Sequence, residues 1–99
     1  MSRVIQPAVY IVANRKQGAI YTGVTSDLPQ RTWQHREGNV DGFTRRYGCK
    51  ILVWFEIHET MESAILREKQ IKAGSRKRKK DLIEAANPDW RDLYPEIVD

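Results

Sequence analysis

Three short apolar stretches in the first 57 residues have the pattern of β-strands. Residues 9–13 (VYIVA) and 19–24 (AIYTGV) are rich in β-branched and aromatic side chains and are joined by a five-residue, turn-like stretch, which predicts a β-hairpin. Residues 51–57 (ILVWFEI) form a nearly continuous apolar run, which is typical of a central strand buried on both faces. We therefore expect a small three-stranded sheet.

Capping residues and apolar spacing predict three helices, one before the third strand and two after it. The expected helix boundaries are Asp27 and Gly38, Thr60 and Gly74, and Ser75 and Asn87. Residues 38–48 contain three glycines and are expected to form a long surface loop. The predicted order is β-β-α-β-α-α, so the expected fold class is α/β, of the α+β type, with a small mixed or antiparallel sheet flanked by helices.

The composition is that of an ordinary folded protein, because 40% of the 99 residues are apolar and 30% are charged. A chain of this length supports one modest core, so we expect a single domain over residues 1–99. Its longest apolar run is too short to cross a bilayer, and its amino terminus lacks the apolar stretch of a signal peptide. We therefore expect a cytoplasmic protein without membrane contacts. The single cysteine, Cys49, excludes an internal disulfide, and no Cys/His cluster has the spacing of a zinc site.

Positive charge is concentrated in one segment, although the formal net charge is only +4. Residues 69–80 contain seven basic side chains and no acidic one, so the rest of the chain carries a net charge of −3. Such a segment is either a solvated helix face or a surface that binds a polyanion. Its basic residues are Lys69, Lys72, Arg76, Lys77, Arg78, Lys79 and Lys80.

Two tyrosines and an Arg/His pair are candidate functional residues. Tyr10 and Tyr21 share a face of the sheet if the hairpin pairs as its loop suggests, although strand tyrosines are more commonly core residues. Arg31 and His35 are four residues apart on one helix face, which is either exposed or turned toward the tyrosines. In the second arrangement the guanidinium suits phosphate oxygens, and a His or Tyr can move a proton.

Glu68 lies where the apolar stripe of the second predicted helix meets its basic face. It either forms a surface ion pair with Arg67, Lys69 or Lys72 or serves as a ligand of a hard cation. Mg²⁺ commonly takes one or two protein carboxylates, keeps several waters and completes its coordination with substrate phosphate.

Five sequence elements, in this order, resemble the GIY-YIG nuclease superfamily. Residues 9–11 (VYI) and 21–23 (YTG) resemble the paired motif of that family. Arg31 follows ten residues after Tyr21, and His35, one turn later, is similar to the small single-domain (URI-type) members. Glu68 lies in a segment that resembles the metal-ligand helix, and residues 87–90 (NPDW) resemble the end of the small stand-alone members. The resemblance covers about residues 8–94.

The resemblance implies an endonuclease that hydrolyses DNA phosphodiester bonds with Mg²⁺ or Mn²⁺. The implied catalytic side chains are Tyr10, Tyr21, Arg31, His35, Glu68 and Asn87, with Gly23 as a structural residue of the motif. Arg31 would hold the phosphate, and Glu68 would be the metal ligand. Asn87 would position phosphate or metal-bound water, or it would serve only as a helix C-cap.

In this resemblance Tyr21 is the general base or water-orienting group and Tyr10 is its partner, while His35 is an alternative base. A phenol has an ordinary pKa near 10, so it needs nearby positive charge to act as a base at neutral pH. Val24 stands where the excision-repair members of the family carry a lysine. The required charge would therefore come from the metal, Arg31 or His35.

Two other functions stay open at this point. One is a nucleic-acid-binding module of the same fold that cuts DNA weakly or not at all, with salt-sensitive phosphate contacts. The other is a protein-interaction domain whose basic helix meets an acidic partner. The predicted DNA-binding residues outside the basic segment are Arg36, Arg45 and Arg46. Specificity would come from DNA shape, from a homodimer or from a partner protein.

Overall fold

The structure, a computed structural model, describes residues 6–40 and 42–98. Its strands are β1 (Ala8–Ala13), β2 (Ile20–Thr25) and β3 (Ile51–Ile57). Its helices are α1 (Leu28–Arg36), α2 (Phe43–Tyr47), α3 (Met61–Ala73), α4 (Arg76–Ala86) and α5 (Tyr94–Ile97). The predicted fold class is confirmed: three antiparallel strands are flanked by helices, in the predicted order with two short helices added.

The three strands lie in the order β2-β1-β3, so β1 is the central strand. Tyr10 pairs with Gly23 and Val12 pairs with Tyr21 across the β1–β2 hairpin. Residues that pair directly, and residues two apart on one strand, project from the same face. Tyr10 and Tyr21 therefore share a face of the sheet.

The prediction that residues 51–57 form the central strand is wrong, because β3 lies at an edge of the sheet. The chain that follows α4 covers this edge. The backbone N–H of Leu93 donates to the carbonyl of Leu52 at 2.8 Å, and the side-chain amide of Asn87 donates to the carbonyl of Val53 at 3.0 Å. The apolar run of β3 thus reflects cover by this segment rather than a central position.

Helices cover both faces of β1, and every residue of that strand is buried. Val9, Ile11 and Ala13 pack on one face against buried side chains of α3 and α4. Ala8, Tyr10 and Val12 pack on the other face with Leu28, Cys49, Leu52 and Leu93. The alternation of a strand thus places Tyr10 on the face that α1 covers.

Three helices begin at polar N-caps, as the sequence predicts. Asp27 accepts from the backbone N–H of Gln30, Thr60 accepts from that of Ser63, and Ser75 accepts from that of Arg78. These caps satisfy backbone donors at the helix starts and fix where each helix begins. They consequently fix which residues of α1 and α3 face the sheet.

The prediction of an unbroken loop over residues 38–48 is wrong, because α2 lies within it. Gly42 and Gly48 bound this helix with φ angles of 84° and 66°, a left-handed region that favours glycine. The glycines that suggested a loop are therefore the ends of a helix only five residues long. Residue 41 lies outside the described part of the chain. None of the described helices has the length and apolar character needed to cross a bilayer.

Candidate active site

Tyr10 and His35 form the buried centre of the candidate site. The Tyr10 hydroxyl lies 3.0 Å from Nε2 of His35, and the two residues are only 1% and 2% exposed. Burial raises the pKa of Tyr10 to about 12. Burial, with the nearby positive charge of Arg31, lowers the pKa of His35 to about 4. Both side chains are therefore uncharged at neutral pH.

Arg31 reaches the same centre from α1. Its hydrogen bond and its positive charge favour the ionised form of Tyr10, although burial outweighs them, and its charge also disfavours protonation of His35. The spacing of four residues places Arg31 and His35 on one helix face. Of the two arrangements that the sequence left open for this pair, the structure has the one turned toward the tyrosines.

α3 brings a carboxylate and an ammonium group to the edge of this cluster. The Glu68 side chain is 14% exposed, and Lys72 Nζ lies 3.0 Å from its carboxylate. The same ammonium lies 5.4 Å from the ring centroid of Tyr21. The negative charge of Glu68 contributes to the raised pKa of Tyr10, so the carboxylate acts on the buried centre as well. Ala64 and Ile71 anchor this helix in the core on the other face of the sheet.

Tyr21 lies beside the buried pair rather than within it. Its ring centroid is 6.1 Å from that of His35, and its side chain is half-buried. Tyr21 thus stands between the Tyr10–His35 pair and the Lys72 ammonium.

Gly23 makes room for the Tyr10 ring. A methyl group added at Gly23 would lie 2.4 Å from the Tyr10 hydroxyl oxygen and 2.5 Å from Cζ. No side chain can occupy that space without moving the tyrosine. The glycine of the second motif is therefore required by close packing of the neighbouring strand.

The position of Lys72 beside Tyr21 is a finding that sequence reasoning missed, since the sequence indicated Lys72 only as a possible ion-pair partner of Glu68 or as a DNA-binding lysine. Position 24, where the excision-repair members of the family carry a lysine, brings no charge to Tyr21, because Val24 packs against the core on the opposite face of the sheet. The spacing of four residues between Glu68 and Lys72 was the available signal, because it places both on one face of α3.

The structure does not bring Asn87 to the tyrosines. Its amide donates to the carbonyls of Val53 and Arg91, and its side-chain oxygen accepts from the N–H of Arg91. These bonds tie the end of α4 to β3, which lies on the opposite side of β1 from β2. The geometry corresponds to the structural role that the sequence left open for Asn87.

Several predicted DNA-binding residues are engaged within the fold. Arg36 pairs with Asp92 and lies 4.5 Å from the ring centroid of Tyr94, so it joins α1 to α5. Arg76 donates to the carbonyls of Gln17 and Gly18 in the hairpin turn, and Lys77 pairs with Asp81. Arg76 and Lys77 of the basic segment therefore have hydrogen-bond or ion-pair partners within the fold, as does Arg36 outside that segment.

Two of the other predicted basic residues line grooves. Arg78 and Lys79 line a groove of about 460 Å³ between α3 and α4, together with Arg67. Lys79 also borders a second groove beside Tyr21 and Lys72. Lys69, Arg45 and Arg46 are exposed, and Lys80 is half-buried.

The oxygen donors of the cluster are compatible with a divalent cation. They are the carboxylate of Glu68 and the phenols of Tyr10 and Tyr21. A single carboxylate, completed by water and substrate phosphate, is a set that Mg²⁺ accepts. Within residues 6–40 and 42–98, His, Cys, Asp and Glu form no group of three that could hold a metal ion by themselves.

Comparison with known proteins gives one consistent family. The GIY-YIG catalytic domain matches residues 6–81. A UPF0213 protein of Haloquadratum walsbyi is 37% identical over 76 residues, which cover 77% of this chain and 84% of the relative. A UPF0213 protein of Staphylococcus saprophyticus is 36% identical over 75 residues, which cover 76% of this chain and 90% of the relative.

A solved structure agrees with these matches. The solution NMR structure of a UPF0213 protein from Bacillus halodurans aligns with a TM-score of 0.56 and 29% identity, over 90% of this chain and 94% of that one. The family predicted from the order of the motifs is confirmed: the chain belongs to the GIY-YIG family and is similar to small UPF0213 proteins.

Proposed function

We propose that this protein is a divalent-metal-dependent endonuclease that hydrolyses phosphodiester bonds of DNA. The GIY-YIG domain is that of a nuclease superfamily, which supports the general class. The observation that carries the proposal is the convergence of two phenols, a guanidinium, a neutral imidazole and a carboxylate from four elements of the fold. They belong to Tyr10, Tyr21, Arg31, His35 and Glu68.

Arg31 is the candidate phosphate-binding group. Its planar guanidinium presents several N–H donors, a geometry that matches two oxygens of one phosphate. Negative charge grows on those oxygens as water attacks phosphorus, so a fixed guanidinium stabilises the transition state more than the ground state. Its place next to the buried Tyr10–His35 pair supports such a fixed position.

Tyr21 is the candidate proton acceptor or water-orienting group. The Lys72 ammonium lies 5.4 Å from its ring centroid and so places positive charge beside the proposed proton acceptor. Tyr10, with a pKa raised to about 12, stays protonated and acts as a hydrogen-bonding partner. His35 is only 2% exposed and its pKa is lowered to about 4, which makes it a weak base, so the half-buried Tyr21 is better placed to contact the attacking water.

The proposed reaction is an in-line displacement at phosphorus. An oxygen of water forms a bond to phosphorus while the bond from phosphorus to the leaving sugar oxygen breaks. Tyr21 either takes the proton of the attacking water or orients that water while its proton passes to solvent, and the leaving oxygen is protonated from solvent. Arg31 holds the phosphate in line throughout this step.

Glu68 is the candidate ligand for Mg²⁺ or Mn²⁺. When bound, such an ion supplies positive charge to the phosphate oxygens. The Glu68 carboxylate is mostly shielded from solvent and its charge acts on Tyr10, which is consistent with a site shared by ion and substrate.

The test is nicking of supercoiled plasmid DNA in Mg²⁺, in Mn²⁺ and in EDTA. We expect nicking only with a divalent ion, and none above background for Glu68→Gln. Glu62→Gln is the matched control, because Glu62 is an exposed carboxylate in the first turn of the same helix. Equal nicking by Glu68→Gln and Glu62→Gln, or undiminished nicking in EDTA, would contradict the proposal.

One observation favours a second function, a DNA-binding module that does not cut. The ion pair between Lys72 and Glu68 already neutralises the carboxylate. For such a module we expect salt-sensitive DNA binding that persists in EDTA, with no nicking in either metal.

A further inference from the structure

α2 carries two exposed aromatic rings close to the candidate active site. The side chains of Phe43 and Tyr47 are each 45% exposed, and their ring centroids are 4.6 Å apart. Basic residues accompany them, since Arg45 and Arg46 lie on the same helix and the Arg46 guanidinium is 5.6 Å from the Tyr47 ring centroid. Exposed aromatic faces beside basic side chains are characteristic of surfaces that bind single-stranded nucleic acid.

A groove connects one of these rings, that of Phe43, to the candidate catalytic tyrosine. It has a volume of about 320 Å³ and runs between β2, α2 and the α3–α4 region. Its lining residues are Ile20, Tyr21, Thr22, Phe43, Lys72 and Lys79. The groove therefore has an aromatic wall at Phe43, the proposed proton acceptor at Tyr21 and two ammonium groups.

We propose that this groove binds one unpaired base of a DNA strand, with Phe43 stacked on the base and the adjoining phosphate at Arg31 and Tyr21. This proposal deepens the proposed nuclease function and rests on it. It assigns the substrate class, which is DNA with at least one unstacked base beside the scissile phosphate, as in a single strand or a distorted duplex.

Charge and geometry both favour this occupant. The ammonium groups of Lys72 and Lys79 attract the phosphates that flank a bound base. An apolar protein segment in the groove would instead remove these two ammonium groups from water without giving them a partner. A base within a regular duplex has both of its faces covered by neighbouring pairs, so it cannot stack on an outside ring. A ring next to the catalytic tyrosine therefore selects a base that has left the stack.

The experiment measures binding separately from cutting. Fluorescence anisotropy in EDTA gives the affinity for a labelled single-stranded oligonucleotide and for a blunt duplex of the same sequence. For Phe43→Leu, which keeps apolar bulk but removes the ring, we expect about 5- to 150-fold weaker single-strand binding, the range for loss of one stacked base. We expect little change for the duplex. Phe43→Tyr should retain the wild-type preference.

Trp33→Leu is the matched control, because Trp33 is 48% exposed on α1 and does not line the groove. Thermal unfolding of each variant shows whether the fold is kept, and Phe43→Met, which also removes the ring but keeps apolar bulk, serves as the second variant if Phe43→Leu does not fold. Equal losses on single strand and duplex, or no loss on either, would overturn the groove assignment. Nicking of plasmid DNA by the same variants is scored separately, so a failed groove assignment is distinguishable from failure of the nuclease proposal.

Discussion

The Tyr10 hydroxyl and Nε2 of His35 lie 3.0 Å apart, in a hydrogen bond that the surrounding fold shields from solvent. The bond joins the central strand to α1, so it couples the candidate site to the stability of the whole domain. Its partners are uncharged at neutral pH, because burial opposes ionisation of each. Protonation of His35 is therefore unfavourable in the folded state.

We expect stability to fall as pH decreases through the range in which an ordinary histidine becomes protonated. The unfolded chain binds a proton at His35 near pH 6.5, whereas the folded chain does so only near its lowered pKa of about 4. Between these values the unfolded state holds more protons, so this residue contributes a loss of about 2 kcal/mol between pH 7 and pH 5. Urea unfolding at a series of pH values measures this loss of stability.

The variant that isolates this contribution is His35→Gln, which should be less stable at pH 7 but should lose less stability on acidification. His58→Gln is the matched control, because it removes the other histidine and leaves the buried pair intact. Parallel pH profiles for wild type and His35→Gln would contradict the assignment.

Gly23→Ala should displace Tyr10. The added methyl would lie 2.4 Å from the phenolic oxygen, so the ring or the strand must move, and we expect a loss of stability of about 1–3 kcal/mol. Nicking activity should fall further than the folded fraction does, because Tyr10 orients the site. Gly74→Ala is the control, since its methyl would lie 3.3 Å from the Ile71 carbonyl oxygen and 3.7 Å or more from the Arg78 side chain. Chemical denaturation and nicking per folded molecule test both, and a fully active Gly23→Ala would contradict the proposed role of Tyr10.

Much of the fold was predictable because its signals are local. Polar N-caps at Asp27, Thr60 and Ser75 marked helix starts within one residue, since each satisfies backbone donors only two or three positions away. The position of β3 at the sheet edge was not predictable. It depends on β1 pairing with β2 on one side and with β3 on the other, and a pairing such as Ile11 with Trp54 joins residues 43 positions apart and leaves no local pattern.

The candidate site shows the same division. The facing of Tyr10 and Tyr21 follows from hairpin register, and that of Arg31 and His35 from helical spacing. The position of Lys72 over Tyr21 depends on how α3 crosses the edge of β2, and sequence spacing does not determine that crossing. The sequence therefore suggested the residue types of the site but missed the source of its second positive charge.

Lys72→Met should lower kcat for DNA nicking by about 10-fold or more, because it removes the positive charge beside Tyr21. Lys72→Arg keeps the charge and should restore much of the rate. Lys69→Met is the control, since Lys69 is exposed on the same helix and is expected to contribute only to DNA affinity. Its effect should therefore appear in KM and not in kcat. If Lys72→Met raised KM and left kcat unchanged, Lys72 would act only as a phosphate contact.

Asn87→Ala separates the two roles that the sequence left open for this residue. The side chain is buried and bonded to the backbone of Val53 and Arg91, so its removal leaves those groups unpaired. We expect a loss of stability of about 1–3 kcal/mol, measured by urea unfolding. Nicking per folded molecule should stay at the wild-type level, because Asn87 lies beside β3 and not beside the tyrosines. Asn39→Ala, at an exposed asparagine, should change neither quantity. If Asn87→Ala were instead stable but inactive, Asn87 would be a catalytic residue. The part of β3 to which it is bonded would then have to lie close to the bound phosphate.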